Sequence, residues 1–352
     1  MNLFYMEKIQ AKNIVQTWII RISLSVILVL ILVDSSLATE EGNIISLQVE
    51  NDFFGERTDR HFTHGTRLVY ITKPLKWMTE AANRIPWFFM EPDSAISNDA
   101  LRARGSLSLG QNIYTPEDIS ADQLILTDRP YAGWLYLGFG VVTEKGSSRY
   151  DQLKLEIGLV GPASQAEEVQ TFFHSLWGMT IPRGWDHQIK NEPGINLYYE
   201  QVRRLAKKRL ISGFEIDLLP HFGGSLGNVF TYGACGITAR LGRNLENDFG
   251  PPRIRPSLPG GGFFQQKKKL NWYLFVGAEG RFVLRNIFLD GNTFRDSHSV
   301  KKEMFTGDIQ AGISMQINRF RLSYTRIFRG REFEEQNKGD VFGSISLSYQ
   351  FH

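Results

Sequence analysis

The residues best suited to chemistry fall in two short stretches. The first is Glu50-Asn51-Asp52-Phe53-Phe54, followed by Asp59-Arg60-His61-Phe62-Thr63-His64-Gly65. A strand ending at the former and another starting at the latter face each other across an antiparallel hairpin. Asn51, Asp52, Thr63 and His64 then gather at one rim. Carboxylate and amide oxygens suit a hard cation such as Ca2+, and the same residues also suit a plain polar turn. His61 and His64 are three apart, which on a strand puts them on opposite faces, so no zinc pair is expected.

The second stretch reads as a helix. Ser164-Gln165-Ala166-Glu167 matches a capping box, and Ala166, Val169, Phe172, Phe173, Leu176 and Trp177 form one apolar stripe. His174 lies at the edge of that stripe, one turn after Gln170. A titratable imidazole beside an apolar face suits a general base working next to an acyl chain; a capping or interface His is the plainer alternative. The helix is expected to end before Pro182-Arg183-Gly184-Trp185-Asp186-His187-Gln188. A flanking segment, Leu126 to Trp134, supplies Asp128 and Arg129 as rim residues, structural first and substrate contacts second. Trp134 and Tyr136 are assigned to an aromatic girdle. Arg57, Arg60, Arg183 and Lys190 are further cations that could meet a phosphate. There is no Gly-x-Ser-x-Gly, no His-Glu-x-x-His and no phosphate loop.

The elements that must position these residues repeat with a period of two. Phe305, Gly307, Ile309, Ala311, Ile313, Met315 and Ile317 alternate with Thr306, Asp308, Gln310, Gly312, Ser314 and Gln316. Leu153 to Leu159, Trp272 to Leu284 and Val341 to Phe351 alternate in the same way. Strands of soluble proteins run to about 5–6 residues, so runs this long call for another solvent. Segments near 43–50, 62–72, 103–113, 132–143, 150–161, 194–204, 209–222, 228–242, 270–284, 304–318, 319–329 and 340–352 give an even number of strands. These close into an all-β, twelve-stranded antiparallel transmembrane barrel, with apolar residues toward lipid and polar ones inward. The 25 Phe, 12 Tyr and 33 Gly favour such a barrel. A soluble β-sandwich would rarely need strands of this length.

The chain begins with Lys8, Lys12 and Arg21, an apolar run from Ile22 to Val33, and Ser36-Leu37-Ala38. That pattern is a secretory signal peptide over 1–38, and its apolar core is shorter than the ~20 residues of a spanning helix. Residues 39–352 are then one barrel domain. A single cysteine, Cys235, excludes an internal disulfide, and a net charge of +3 is too mild to imply nucleic acid. With the chain entering from the periplasm, 51–61, 114–131 and 162–193 lie outside, and those loops carry the chemistry. The tight links 144–149 and 205–208 lie inside, as do the longer 73–102 and 243–269. Leu75-Lys76-Trp77-Met78 and Trp87-Phe88-Phe89-Met90 suggest a short amphipathic helix at the inner membrane surface.

At these residues the chain resembles the outer-membrane lipid A deacylases. The resemblance rests on Asn51-Asp52, Phe62-Thr63-His64-Gly65, Asn112-Ile113-Tyr114-Thr115-Pro116, Gly161-Pro162, Glu168-Val169-Gln170, His174 and Trp185-Asp186-His187-Gln188-Ile189. It implies a Ca2+-dependent carboxylic ester hydrolase that removes the 3′-linked acyloxyacyl chain of lipid A in the outer leaflet. In that reading His174 is the general base, Asn51 and Asp52 are the polar or metal-binding core, and Thr63 is the hydroxyl completing it. The resemblance also implies the outer membrane of a Gram-negative bacterium as location and lipopolysaccharide as partner; the chain is expected to act as a monomer. One departure stands out: after Tyr114-Thr115-Pro116, where the resemblance leads one to expect a basic pair, the chain reads Glu117-Asp118-Ile119-Ser120-Ala121-Asp122. The competing readings are an outer-membrane phospholipase, which needs a Ser nucleophile beside a His, and a non-enzymatic barrel such as a small porin or an adhesion platform.

Overall fold

A computed structural model describes residues 42–54, 60–84, 101–254, 256, 262–265 and 269–351, without the side chains of Phe53 and Ile211. The expected signal peptide, Arg57 and Trp87 to Met90 lie outside the described residues.

The strands are β1 (Asn43–Asn51), β2 (His61–Ile71), β3 (Leu101–Thr115), β4 (Ala132–Lys145), β5 (Arg149–Val160), β6 (Glu192–Arg203), β7 (Ala206–Arg209), β8 (Glu215–Gly227), β9 (Phe230–Arg243), β10 (Leu270–Asn286), β11 (Phe305–Ile317), β12 (Phe320–Arg329) and β13 (Asp340–Phe351). All pair antiparallel with their neighbours, β1 pairs with β13, and β6 pairs with β8. The sheet therefore closes, and no edge is left for the bilayer to solvate. β7 continues β6: Val202 pairs with His221 and, past a break at Arg204-Leu205, Ala206 pairs with Leu218. Counting β6 and β7 as one stave gives the expected twelve. The link expected at 205–208 is thus strand, and the turn falls at 210–214.

The alternation decides which face meets lipid. Ile309, Ile313, Met315 and Ile317 are exposed on the outer surface of β11, whereas Asp308, Gln310, Ser314 and Gln316 are buried in the lumen. Trp134 and Tyr136 depart from the girdle assigned to them. On β4 it is Leu135, Leu137 and Phe139 that occupy the lipid phase, so the two aromatics point inward. They stack with their ring centroids 5.5 Å apart, filling space left by Gly110 and Gly194.

The connection from β9 to β10 turns into the lumen. Phe249, Phe263 and Phe264 pack with Ile44, Ile71, Val142, Tyr150, Val202 and Leu219 from the inner wall. Further along the same connection, the Nε of Arg253 donates to Glu50 Oε1 at 2.6 Å and its Nη1 to Gln310 Oε1 at 2.8 Å. Ile254 N donates to Glu50 Oε1 at 3.0 Å. Arg240 bridges Asp217 and Asp248, and Arg321 reaches Asp248 at 3.2 Å. Buried pairs of this kind fix one arrangement more than they add net stability. A plug of aromatics and paired charges thus fills the barrel where a conducting pore would hold water.

At the inner rim, α1 (Lys76–Asn83) lies against β3, with Trp77 exposed and Ala82 buried. Leu75 N donates to Ala103 O and Ala103 N donates to Thr79 Oγ1, which anchors the helix.

Candidate active site

The first part of the site is built by the β1–β2 hairpin. Asn51 pairs across it with His64, and both face outward. Asn51 Nδ2 donates to the Thr63 carbonyl oxygen at 2.9 Å and meets His64 Nδ1 at 3.3 Å. In the pairing of β2 with β3 the register shifts between Phe62 and His64, which leaves Thr63 as the extra residue of a bulge. A bulge re-aims side chains; here it brings Thr63 Oγ1 to 2.6 Å from Thr115 Oγ1. Asp52 follows Asn51 in a single helical turn and is buried, with Oδ2 accepting from Arg60 N at 2.9 Å. The hairpin therefore seats Asn51 against His64 and the Thr63 backbone, with Asp52 next along the chain on Arg60 N. His61 points the other way and binds Asp340 at 2.7 Å, so the two histidines do lie on opposite faces.

The second part is α2 (Ala166–Trp177), which lies over the outer wall of β3 and β4. Gly133 permits the approach: a Cβ at that position would collide with Ser164 Oγ and Ala166 Cβ. Gln111 Nε2 donates to Ser164 O at 2.7 Å, and Ile113, Ile119, Tyr131, Ala166 and Trp185 form the apolar contact beneath. At its far end the helix meets the hairpin, where the Phe173 and His64 rings lie 6.5 Å apart.

Two details of the helix differ from expectation. Ser164 does not cap it; its hydroxyl donates to Gly161 O, and Gln165 takes the cap position in a left-handed conformation. The face turned to the protein carries Ala166 and the polar Gln170 and His174, while Trp177 is 67% exposed and Phe172, Phe173 and Leu176 are half-buried. Next to lipid an apolar stripe has no need of a protein partner. His174 is thus enclosed, and its Nδ1 hydrogen-bonds the Thr180 carbonyl oxygen. A carbonyl only accepts, so Nδ1 carries the proton and Nε2 is the basic nitrogen of the neutral ring. Beside it, Gln170 Oε1 accepts from Trp185 Nε1 at 3.0 Å. These supports, Gln111, Thr180 O and the Gln170–Trp185 pair, had no signal in the sequence beyond Gln170 preceding His174 by one turn.

Asp128 and Arg129 belong to a buried network across the extracellular mouth. Asp128 Oδ2 accepts from Glu117 N at 2.7 Å and Oδ1 lies 3.6 Å from His61 Nε2. Burial would raise the Asp128 carboxyl, but the hydrogen bonds from His61, Glu117 N and Arg129 N hold it below its ordinary range. Arg129 pairs with Glu332 at 2.8 Å and lies over the Tyr114 and Phe333 rings. Both side chains are held in buried contacts within the protein. Arg60 is buried too, against Glu117 at 2.8 Å and Asp340 at 3.4 Å, whereas Arg183 and Lys190 are exposed. In the acidic stretch, Glu117 is engaged by Arg60, and Asp118 by Ser120 at 2.6 Å.

Asn51 and Asp52 offer the hard oxygen donors that Ca2+ takes, though fewer than its usual 6–8, so backbone, water or substrate oxygens would complete the shell. Among the described residues no cluster of three or more His, Cys, Asp or Glu forms a ready-made metal site.

A closed, plugged barrel with an enclosed imidazole on its outer wall is an outer-membrane protein whose site faces the lipid and not the lumen. The model of the family described as outer membrane protein LpxR matches residues 23–351, and the chain belongs to that family. Among solved structures, LpxR from Salmonella typhimurium superposes with a TM-score of 0.69 at 18% identity, covering 88% of this chain and 100% of that one. The β domain of the Bordetella autotransporter BrkA gives a TM-score of 0.42 at 11% identity, covering 88% of this chain and 98% of that one. No curated protein sequence matches the chain.

Proposed function

We propose that the protein is a lipid A 3′-O-deacylase, a carboxylic ester hydrolase that works from the outer leaflet of the outer membrane with Ca2+. The observation that carries this reading is the orientation of His174. Its Nδ1 is tied to Thr180 O, on a helix laid against the outer wall whose Phe173 ring meets His64, the strand partner of Asn51. His174 Nε2 takes a proton from water, and the water oxygen attacks the ester carbonyl carbon. The C–O bond to the sugar then breaks, and the proton passes from His174 to the departing sugar hydroxyl. The products are a free acyloxyacyl fatty acid and a lipid A bearing a 3′-hydroxyl. Charge develops on the carbonyl oxygen, where preorganised donors act most strongly, and the Thr63 hydroxyl is the donor assigned to it. Ca2+ held by Asn51 and Asp52 would supply Lewis-acid stabilisation of that oxygen. The half-buried Phe172 and Phe173 and the exposed Trp177 offer the departing chain an apolar lip.

The family supports a lipid A-directed role, and the plugged lumen weighs against a small porin. A phospholipase with a Ser nucleophile gains no support from the two serines nearest the helix. Ser164 donates to Gly161 O, and Ser175 donates to Phe172 O. The test is purified protein incubated with lipid A and Ca2+, with the released acid identified by mass. Release of the 3′-linked acyloxyacyl acid, abolished by a chelator, is the expected result. Release of phospholipid acyl chains alone would refute the assignment.

A further inference from the structure

Asn51 is held by two acceptors, and only one of them is backbone. Its Nδ2 donates to Thr63 O at 2.9 Å and stands 3.3 Å from His64 Nδ1. An amide nitrogen donates and does not accept, so this contact requires a lone pair on His64 Nδ1. The imidazole proton then sits on Nε2, which donates to Thr66 Oγ1 at 2.7 Å. Thr66 lies two residues along β2 on the same outward face, so the strand itself fixes the far end of the ring. Phe173 closes over the ring from α2. With both Nδ2 hydrogens directed at Thr63 O and His64 Nδ1, the Asn51 carboxamide has one orientation, and Oδ1 occupies the opposite corner.

We propose that His64 is a positioning residue of the active site: as the neutral tautomer protonated on Nε2, it holds the Asn51 carboxamide by Nδ2, so that Oδ1 is turned to the side that would hold Ca2+. The role rests on the deacylase reading above. It is distinct from general-base work, because the nitrogen that faces Asn51 is committed as an acceptor. Thr66, whose hydroxyl can accept as well as donate, receives the Nε2 proton and steadies the far end of the ring.

Two isosteres separate this role from simple packing. His64→Asn puts an acceptor oxygen where Nδ1 stood and abandons Thr66; His64→Gln reaches Thr66 and leaves no acceptor beside Asn51. Both lose the ring against Phe173 equally. The expected result with purified protein and lipid A is that kcat falls about tenfold in His64→Gln, the cost of one orienting hydrogen bond. His64→Asn is expected to recover most of that loss, with KM alike in the two. Equal kcat in both variants, or the larger value in His64→Gln, overturns the proposal. Should neither variant fold as a heat-modifiable barrel, 15N-histidine NMR of the wild-type protein in detergent decides. A protonated Nε2 and bare Nδ1 at His64 support the role, and the reverse tautomer sinks it. His174→Ala runs alongside. Full activity there refutes the deacylase mechanism itself, whereas an inactive His174→Ala with equal His64 variants refutes only the positioning role.

Discussion

The residues that matter most here are ordinary ones made specific by their neighbours. His174 was marked by its position at the edge of an apolar stripe and by the family resemblance, and its tautomer rests on a carbonyl from a loop residue, Thr180. No spacing rule in the sequence anticipates that bond, because the chain doubles back after the Gly178 cap to make it. Asn51, Asp52 and Thr63 were legible because a hairpin forces neighbouring strand ends together. The bulge at Thr63 was not, since one extra residue leaves no periodic trace in so short a stretch. The metal role proposed for Asp52 is tested at this scale. Asp52→Ala is expected to remove the response of deacylation to added Ca2+ while the barrel still folds. Activity measured across a Ca2+ titration checks this, and an unchanged curve would move the cation elsewhere.

Among the elements, the strands were almost wholly readable, because in a closed barrel every residue is committed to one of two solvents. The phase of the alternation is a stronger guide than residue type. Trp134 and Tyr136 look like girdle residues by chemistry, yet Leu135, Leu137 and Phe139 fix the lipid phase and send them inward. The helix α2 carried the opposite lesson. In water its aromatic stripe would be the buried face; beside lipid the stripe of Ala166 and the polar Gln170 and His174 is buried instead. What seats that helix is the bare backbone at Gly133. Gly133→Val is expected to push α2 off the wall and lower kcat by about tenfold or more, since small misplacements of a catalytic group are costly. Heat-modifiable migration on a gel should be unchanged, because the barrel's own pairing is untouched. Full activity in that variant would show that the helix need not lie where Gly133 admits it.

In the whole molecule, a barrel is closed three times: by the β1–β13 pairing, by the plug of residues 244–254 and 262–265, and by the network over its outer mouth. The plug escaped sequence reading because Phe249, Phe263 and Phe264 follow no period. The mouth network has a pH signature. Asp128 and Glu332 both lie outside the strands, and both carboxyls are buried, which alone would raise them. Hydrogen bonds to Asp128, and Arg129 beside Glu332, hold them below their ordinary values. A depressed carboxyl stabilises the fold at pH above the unfolded value of about 4, and that stabilisation is lost as pH falls through the lower folded value. Hydrogen exchange in 116–131 and 330–339, corrected for intrinsic rates, should therefore quicken between pH 6 and pH 3 (chosen to bracket that value of about 4). The change should be smaller in Asp128→Asn, and equal changes in the two proteins would remove Asp128 from the network's pH response.

The central claim is that this barrel cleaves lipid A from its outer wall using His174. It is tested most directly by mass spectrometry of lipid A from cells producing the wild-type protein or His174→Ala, both confirmed as folded barrels. The account expects lipid A lacking its 3′-linked acyloxyacyl chain with wild type only, the variant having lost at least about a hundredfold in rate. Equal deacylation by both would take the general base away from His174. An unaltered lipid A in the presence of folded wild-type protein and Ca2+ would contradict the deacylase assignment itself.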